Sequence, residues 1–430
     1  MKTRAPLAPL TLAGVLGLTA LPACSGGEAS PTSSASSSHA ASSASGAGGS
    51  GGSGGSSASA TSSGGFIPGP HGPLPTVVSS GGPVLAEPKV QAITYPAYAF
   101  ATQLDGFLAE LKSSTYWSAT TAEYGVGPLS VRPDLTFDGG PSITDGVLES
   151  MLASNLSGSG SAWGDADAST IYLFVFPEGT SVDHFGLCCE DFDGYHSTAS
   201  VGDADVAYGV VCTCLGPGGA ASFDDVSVAA SRVLVGAATN PFVFTDRAYG
   251  SPGASFEAWA IGTGGEVSDL CRRDVDARVR NPGGQFMVQR MWSNEAALAS
   301  KNPCVPAPAG PFFDSVPVLP DDLTLSLGGG TLVTKGVKIA VGESKTIDVQ
   351  LFSEGELAAP FHVTAYDLKG GFTGGSPDLA VALDETTGRN GDTRKLTITV
   401  LKADPTVGGE VFVLASDGPQ NNLFYGMVGQ

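Results

Sequence analysis

The stretch IYLFVF at residues 171–176 is an unbroken apolar and aromatic run that stops at Pro177 and Gly179. Such a run, rich in β-branched and aromatic side chains and without polar alternation, is typical of a strand that is buried on both faces. A sheet that is covered on both faces needs helices packed against it. We therefore expect an α+β fold around this strand.

Neighbouring segments supply those helices and another strand. Apolar residues recur at helical spacing over 100–111, which predicts an amphipathic helix that ends near residue 113. A second helix is predicted over 226–239, because acidic residues lie in its first turn and an Asn-Pro pair follows it. Residues 208–211 are a further candidate strand. We place this unit at about residues 84–310.

The second unit, at about residues 315–430, has a different pattern. At 347–351 and 396–400, apolar side chains alternate with polar ones, as in strands with one buried face. Several short strands separated by turn-forming residues, without a helical segment, predict an antiparallel, immunoglobulin-like β-sandwich. The other strand candidates are 361–366, 379–383, 410–415 and 423–428.

The N-terminus has the layout of a cleaved export signal, with a basic start and a mostly apolar run over 7–21 that is too short to span a bilayer. The tetrapeptide that ends at Cys24 resembles a bacterial lipobox, which implies removal of residues 1–23 and a lipid anchor on Cys24. In lipoproteins that stay in the inner membrane, the residue after the lipidated cysteine is usually aspartate. This chain has Ser25 at that position, which favours the outer membrane or the cell surface. The alternative is an ordinary secretory signal beside an unpaired cysteine.

Residues 24–83 are predicted to form a flexible tether. Ser, Gly, Ala and Pro dominate this segment, and its large apolar side chains are too few to offset the entropy lost on ordering. A Gly/Ser coil of roughly 55 residues spans about 40 Å on average, which would hold folded domains clear of lipid head groups.

Charge and cysteine content narrow the class of protein. The chain has 42 acidic and 21 basic side chains, so its surface repels phosphate and we expect no nucleic-acid partner. The even number of cysteines after Cys24 predicts three disulfides in an exported chain. We expect the first four to pair between their two segments and the last two to pair with each other. The alternative is a zinc site made by the first four, although their spacing is not that of a zinc knuckle. These cysteines are Cys188, Cys189, Cys212, Cys214, Cys271 and Cys304.

No familiar catalytic, phosphate-binding or dinucleotide-binding motif occurs in the chain, and we predict no cofactor. His196 follows Asp191 and Asp193 in a loop that is dense in oxygen ligands. We interpret this loop as a solvated acidic loop held by a disulfide. Calcium binding is the alternative, although the loop lacks the spacing of a known calcium motif.

Four further sequence blocks stand in a characteristic order and spacing. They are GYH at 194–196, AATNP at 237–241, GEVSDLC at 265–271, and FMVQRMWSN at 286–294 with PC at 303–304. They resemble a zincin-like family of myxobacterial secreted proteins that is related to the plant EXORDIUM, or phosphate-induced, proteins. The segments YW at 116–117 and TAEYGVG at 121–127 extend the similarity, and NLFYGMVG at 422–429 is similar to the tail of bacterial members. The resemblance implies a zincin-like α+β domain followed by a sandwich-like domain.

The resemblance also implies a lost metal site. In that family, the helix before the second block carries a zinc ligand, the adjacent general base and a second ligand one turn later. These positions fall on Arg232, Val233 and Gly236, so that Glu266 alone remains of the expected ligand set. One carboxylate cannot hold catalytic zinc. We therefore expect no metal and no peptidase activity. The Arg232 guanidinium could instead form a buried ion pair with Glu266 where zinc once sat, or extend to solvent.

Two classes of function follow. The first is a non-catalytic lipoprotein of the cell envelope whose zincin-like domain binds an unknown protein, peptide or glycan, or has a structural role. The second is a secreted hydrolase with a relocated site, for example His196 with Asp191, Asp193 or Glu266. No recognition motif in the chain identifies the partner.

Overall fold

The computed structural model describes residues 66–158, 160–327, 330–372, 374–402 and 409–429. The predicted export signal, the lipidation of Cys24 and tether residues 24–65 lie outside these ranges. The described chain is mostly β, with a few helices and several sheets. No helix in the described ranges has the length and apolar character needed to cross a membrane.

The first unit contains the predicted central strand and both predicted helices. Its strands are β1 (Lys89–Thr94), β2 (Ser130–Val131), β3 (Leu135–Thr136), β4 (Ser142–Thr144), β5 (Thr170–Phe176), β6 (Ser181–Asp183), β7 (Gly194–Val201), β8 (Ala204–Cys212), β9 (Arg278–Arg280), β10 (Met287–Gln289), β11 (Met291–Trp292) and β12 (Cys304–Val305). Its helices are α1 (Ala101–Ser113), α2 (Thr115–Thr121), α3 (Asp145–Asn155), α4 (Phe223–Thr239), α5 (Glu257–Thr263) and α6 (Asn294–Leu298), with 3₁₀ helices at Ala122–Tyr124 and Ala254–Phe256.

The secondary-structure predictions for this unit are confirmed by β5, β8, α1 and α4. Helix α4 begins three residues earlier than predicted. Its start is set by Ser222, whose Oγ accepts a hydrogen bond of 3.1 Å from the backbone N–H of Asp224.

A mixed sheet forms the centre of the unit, in the order β2-β1-β5-β8-β7, with β3 also paired to β1. Strands β1, β5 and β8 are parallel, and β7 is antiparallel to β8 at the edge. Successive side chains of β5 point to opposite faces, so that Leu173 packs under α1 and α4 whereas Phe174 packs under α3. Helix α4 contacts β7 and β8, which places it beside the edge strand.

The second unit is a two-sheet structure, in agreement with the predicted sandwich. One described sheet has the order β13-β16-β20-β18 and the other β14-β15-β22-β21-β17-β19, formed by β13 (Phe313–Pro317), β14 (Asp321–Leu327), β15 (Gly330–Lys338), β16 (Ser344–Ser353), β17 (Phe361–Asp367), β18 (Leu379–Leu383), β19 (Thr387–Gly388), β20 (Thr393–Val400), β21 (Gly409–Asp417) and β22 (Asn421–Gly429). Two details differ from the prediction. Strands β15 and β22 are parallel, and a short helix α7 (Leu368–Phe372) follows β17.

The two units share one hydrophobic core. The Trp259 ring on α5 lies 5.0 Å from the ring of Tyr425 and 5.5 Å from that of Phe424, both on β22. Gly262 permits this contact, because a Cβ there would lie 2.5 Å from the Tyr425 ring. The sandwich is therefore packed against the first unit.

The predicted end of the tether at residue 83 is wrong. Leu74 and Val77 are buried in the shared core, and the ring of His71 stacks on Phe352 at 3.6 Å. The backbone N–H of Val77 donates to the side chain of Asn294 at 2.8 Å. A few apolar side chains in a Pro-rich segment are enough to fix it here, because both units offer a surface to cover. Only residues 24–65 of the predicted tether precede this packed segment.

Candidate functional site

Two disulfides join the loop before β7 to the end of β8. Cys188 pairs with Cys212 and Cys189 pairs with Cys214, with Cα–Cα distances of 6.4 and 5.3 Å. The backbone oxygen of Asp193 also accepts a hydrogen bond of 3.0 Å from the N–H of Cys212. The loop therefore delivers Asp193 to a fixed position at the start of β7.

The disulfide predictions are confirmed, including the pair between Cys271 and Cys304. The alternative of a zinc site made by the first four cysteines is wrong, because all four thiols are consumed in disulfides. Three disulfides are typical of a protein that folds in an oxidising compartment.

Arg232 lies on the part of α4 that meets the start of β7, and its side chain is only 8% exposed. One guanidinium nitrogen, Nη2, donates to the backbone oxygen of Gly194 at 2.6 Å and to Oδ1 of Asp193 at 2.5 Å. The other, Nη1, lies 3.9 Å from Oδ1 of Asp269. The alternative that Arg232 extends to solvent is wrong. We call this site the Arg232 pocket and define it by Asp193, His196, Arg232, Asn240, Glu266 and Asp269.

The predicted ion pair between Arg232 and Glu266 is also wrong. Oε1 of Glu266 accepts a hydrogen bond of 2.7 Å from Nδ2 of Asn240, and Oε2 lies 3.3 Å from Nε2 of His196. Glu266 is thus held by Asn240 and lies beside His196, whereas the disulfide-braced loop brings Asp193 to the guanidinium. Arg232 pairs with the carboxylate that the loop supplies.

The two other substituted helix positions have different surroundings. Val233 is buried against the sheet, where a Cβ on Gly209 would lie 2.4 Å from its side chain. Gly236 faces His196, and a Cβ at position 236 would lie 2.8 Å from two atoms of the imidazole ring. His196 therefore occupies the space that a side chain at position 236 would need.

The structure places His196 beside Glu266, whereas Asp191 does not contact His196 and is bound within its own loop. Oδ2 of Asp191 accepts a hydrogen bond of 2.8 Å from the backbone N–H of Leu187 within its own loop. Asp193 is engaged by Arg232. Both loop carboxylates are therefore satisfied by proton donors of the protein, which removes the reason to place calcium there.

Burial dominates the protonation of the Arg232 pocket. It lowers the pKa of His196 to about 4 and raises the pKa of Glu266 to about 7. The pKa of Asp269 is raised to about 6, first by burial and then by the charge of Glu266. At neutral pH the imidazole is uncharged, and its Nε2 has no aligned hydrogen-bond partner among the described residues.

The pocket does not fit a zinc ion. The guanidinium of Arg232 is a permanent cation beside two carboxylates, and it would repel a second cation bound by the same carboxylates. Among the described residues, potential ligand atoms of three side chains converge only at Cys271, Asp274 and Cys304. The two cysteines form a disulfide, so their sulfur atoms cannot act as thiolate ligands.

Sequence reasoning missed two residues of the pocket, Asn240 and Asp269. Asn240 bridges two segments, since its Nδ2 donates to Glu266 and its Oδ1 accepts a hydrogen bond of 2.8 Å from the N–H of Ala248. Asp269 is joined to Glu266 by a turn, in which the backbone N–H of Asp269 donates to the backbone oxygen of Glu266 at 2.9 Å. Their positions inside the blocks AATNP and GEVSDLC were the available signal.

A second polar cluster lies at the start of α3, and the sequence patterns did not indicate it. One oxygen of Asp145 accepts hydrogen bonds of 2.6 Å from the hydroxyl groups of Tyr195 and Tyr208. Its other oxygen lies 3.1 Å from Nδ1 of His184, whose ring stacks on Tyr195 at 4.0 Å. Burial raises the pKa of Asp145, but these donors outweigh it and hold the pKa below its usual value. The cluster fastens the loop after β6 to α3.

The chain matches no protein-family model and no curated protein sequence. Among solved structures, it is similar to domains 4 and 5 of the S-layer protein SbsC, with 13% identity over 35% of this chain and 89% of that chain, and a TM-score of 0.17. A structure of SbsC domains 4–9 is 14% identical over 34% of this chain and 25% of that chain, again with a TM-score of 0.17. These scores are too low for either likeness to bear on fold or function. The zincin-like resemblance remains a prediction.

Proposed function

We propose that this chain is a lipoprotein of the cell envelope whose first unit is a zincin-like domain without metal or peptidase activity. The domain works as a surface module that binds a partner or has a structural role. The observation that carries the proposal is the buried guanidinium of Arg232, at the helix position where the resemblance expects the first zinc ligand.

Charge and space in the pocket support the loss of metal. A guanidinium can stand in for a bound cation, because it offers its carboxylate partner both charge and directed N–H donors. The ring of His196 takes the space beside Gly236, where the resemblance expects the second ligand. Two side chains from different elements therefore fill the region that a metal and its ligands would need.

The anchoring part of the proposal depends on the N-terminal sequence. The layout of residues 1–24 is that of an export signal that ends in a lipobox, and residues 24–65 have the composition of a tether. The three disulfides agree with export to an oxidising compartment. We infer that the outer membrane or the cell surface is the site of action and that the partner is a protein, peptide or glycan.

Metal content and proteolysis test the proposed loss of activity. We expect the purified full-length chain to contain far less than one zinc per molecule by elemental analysis, and to leave a denatured protein substrate intact. One tightly held zinc per chain, together with proteolysis that a chelator abolishes, would overturn this part of the proposal.

Metabolic labelling with a radioactive fatty acid tests the anchor. We expect label on the chain with Cys24 and none on the Cys24→Ser variant, because the other cysteines are paired in disulfides. A labelled Cys24→Ser variant, or an unlabelled parent chain, would contradict lipidation at this position.

A second candidate is a hydrolase that uses the contact between His196 and Glu266. It is favoured by their 3.3 Å separation and by the pKa of Glu266 near 7, which suits proton transfer at neutral pH. Hydrolysis that resists chelators and disappears in Glu266→Gln would identify this function.

A further inference from the structure

A long segment of the first unit carries acidic side chains and no basic ones. Residues 133–231 carry 15 Asp and Glu side chains and neither Lys nor Arg. They form β3 to β8, α3 and the start of α4. Lys or Arg side chains from other segments form ion pairs with Asp167, Asp193 and Asp225. This segment therefore carries negative charge that Lys and Arg side chains of the described residues compensate at few points.

An exposed aromatic side chain lies within this acidic region. Phe185, in the loop after β6, is 88% exposed and has a φ of 54°, a backbone conformation that is unusual for a bulky residue. Leu187 in the same loop and Val147 on α3 are also exposed apolar side chains. Asp183 pairs with Leu187 in an isolated antiparallel bridge, and the N–H of Glu190 donates to the backbone oxygen of Leu187 at 3.1 Å, so these residues and Phe185 belong to one compact loop. We call the surface of this loop the Phe185 face and define it by Asp183, Phe185, Leu187 and Glu190.

The loop that carries Phe185 is braced on two sides. The Phe185 ring lies 4.7 Å from the ring of His184, which stacks on Tyr195 and is held by Asp145. On the other side, Leu187 is tied to Asp191 by a 2.8 Å hydrogen bond just before the two disulfides. An aromatic group held in place before binding loses little conformational entropy when a partner docks.

We propose that the Phe185 face docks a basic peptide segment, with an Arg or Lys side chain stacked on Phe185 and paired with Asp183 and Glu190. The proposal rests on the proposed function, because it names the class of partner that the surface module binds. Both carboxylate side chains are exposed on the same compact loop as Phe185. An aromatic face flanked by carboxylates matches a cationic side chain in shape and in charge.

The charge of the face argues against other occupants. A second copy of this chain would present the same negative surface, and like charges across an interface cost affinity. Anionic lipid head groups and nucleic acids are repelled for the same reason. A neutral glycan would stack on Phe185 but would make no use of the acidic surroundings.

Fluorescence anisotropy with a labelled peptide of alternating Arg and Leu tests the proposal on the full-length chain. We expect binding that weakens as salt is raised, and a loss of about tenfold or more in Phe185→Ser, which corresponds to the removal of one cation–π contact and its apolar area. The matched control is Phe244→Ser, because Phe244 is 71% exposed on another loop. Its affinity should not change.

The charge requirement is tested separately. Asp183→Asn combined with Glu190→Gln should weaken binding and reduce its salt dependence. The control pair, Glu343→Gln with Glu356→Gln, removes two exposed acids from the sandwich and should have no effect. A peptide of alternating Glu and Leu should not bind.

Several results would overturn the proposal. These are no binding of the Arg-Leu peptide, equal binding of the Glu-Leu peptide, or the same loss in Phe244→Ser as in Phe185→Ser. Competition by zwitterionic lipid vesicles that Phe185→Ser abolishes would reassign the face to a membrane. The zinc measurement tests a different proposal. If the chain contains no zinc and does not bind the peptide, only the basic-peptide partner is ruled out. If the chain contains zinc and still binds the peptide, only the proposed loss of metal is ruled out.

Discussion

The Arg232 pocket and the Phe185 face both gather carboxylates near the loop that leads into β7, yet they differ in how their charge is compensated. In the pocket, a guanidinium that is 8% exposed pairs with Asp193 and faces Asp269. On the face, Asp183 and Glu190 form no ion pair with a Lys or Arg of the described chain. A carboxylate whose counter-ion comes from the fold stabilises that fold, whereas one without a counter-ion remains available to a partner.

Removing the internal counter-ion should have the largest effect. Arg232→Ala leaves the Gly194 carbonyl and Asp269 without their cation in a buried site. Water can reach Asp193, whose side chain is 48% exposed, so we expect a loss of about 3 kcal/mol in the free energy of unfolding, at the low end for a broken buried pair. Urea denaturation measures this loss.

The control is Arg278→Ala, because Arg278 pairs with Asp225 of the same helix but is 51% exposed. A surface pair of this kind contributes about 0–1 kcal/mol. Equal losses in both variants would show that burial does not distinguish the two arginines.

A methyl group at position 236 should have the next largest effect. Gly236→Ala places a Cβ 2.8 Å from the His196 ring, so we expect a loss of about 1–3 kcal/mol from overpacking. The control is Gly146→Ala on α3, where a Cβ meets no atom within 4 Å. There the better helix propensity of Ala should stabilise by about 0.5–1 kcal/mol.

Thermal melts of the two glycine variants should therefore shift in opposite directions. Combining Gly236→Ala with His196→Ala should recover part of the loss. If Gly236→Ala raised the melting temperature as Gly146→Ala does, His196 could not fill the space beside α4.

Ionisation of Glu266 should change the free energy of unfolding by less than the two preceding variants do. The sign of its pH dependence should be opposite to that of a salt-bridged carboxylate. Burial raises its pKa from 4.5 to about 7, so the folded state binds the proton more tightly than the unfolded state. The ionised form thus costs stability, which falls as pH rises from about 4.5 to 7. Glu266→Gln should be more stable than the parent by about 1–2 kcal/mol at pH 8, and equally stable near pH 4.5.

Urea denaturation at several pH values measures this difference. His196 contributes the opposite slope, because its pKa is lowered from 6.5 to about 4 and stability is lost as pH falls through that interval. It is present in both proteins, so its contribution largely cancels. A difference between the two proteins that stays constant with pH would contradict the proposed protonation of Glu266.

The smallest effect is expected on the Phe185 face. Asp183→Asn with Glu190→Gln should change the free energy of unfolding by no more than about 0.5 kcal/mol, because these exposed side chains have no cation to lose. Asp193→Asn is the matched change in the pocket and should destabilise more, since it removes the partner of Arg232. Similar losses in the two variants would erase the contrast between the regions.

Much of the fold was predictable because its signals are local. The apolar run at 171–176 forms β5, and the segment 226–239 lies within α4. The disulfide pairs were predictable because adjacent cysteines in two segments leave few sensible partners. The end of the tether was wrong, because the apolar residues Leu74 and Val77 are few in number and their burial depends on two distant surfaces.

The candidate site was only partly predictable. Sequence blocks indicated Arg232 and Glu266, but their expected contact does not form, since Glu266 accepts a hydrogen bond from Asn240 and Arg232 pairs with Asp193. No sequence pattern singled out Phe185, because its 88% exposure is a property of the folded chain. Spacing along the chain says which residues could meet, and it does not say which of two nearby carboxylates is closer.

By itself, the amino-acid sequence determined the central strand, the helix that carries Arg232 and the alternating strands of the sandwich. These follow from hydrophobic periodicity and composition over short windows. Only the tertiary structure decided that Arg232 pairs with Asp193, that His196 fills the space beside Gly236 and that Phe185 remains exposed. Those contacts join residues on separate elements, so they depend on the packing of α4 against β7 and β8, on the β7–β8 register and on the two disulfides.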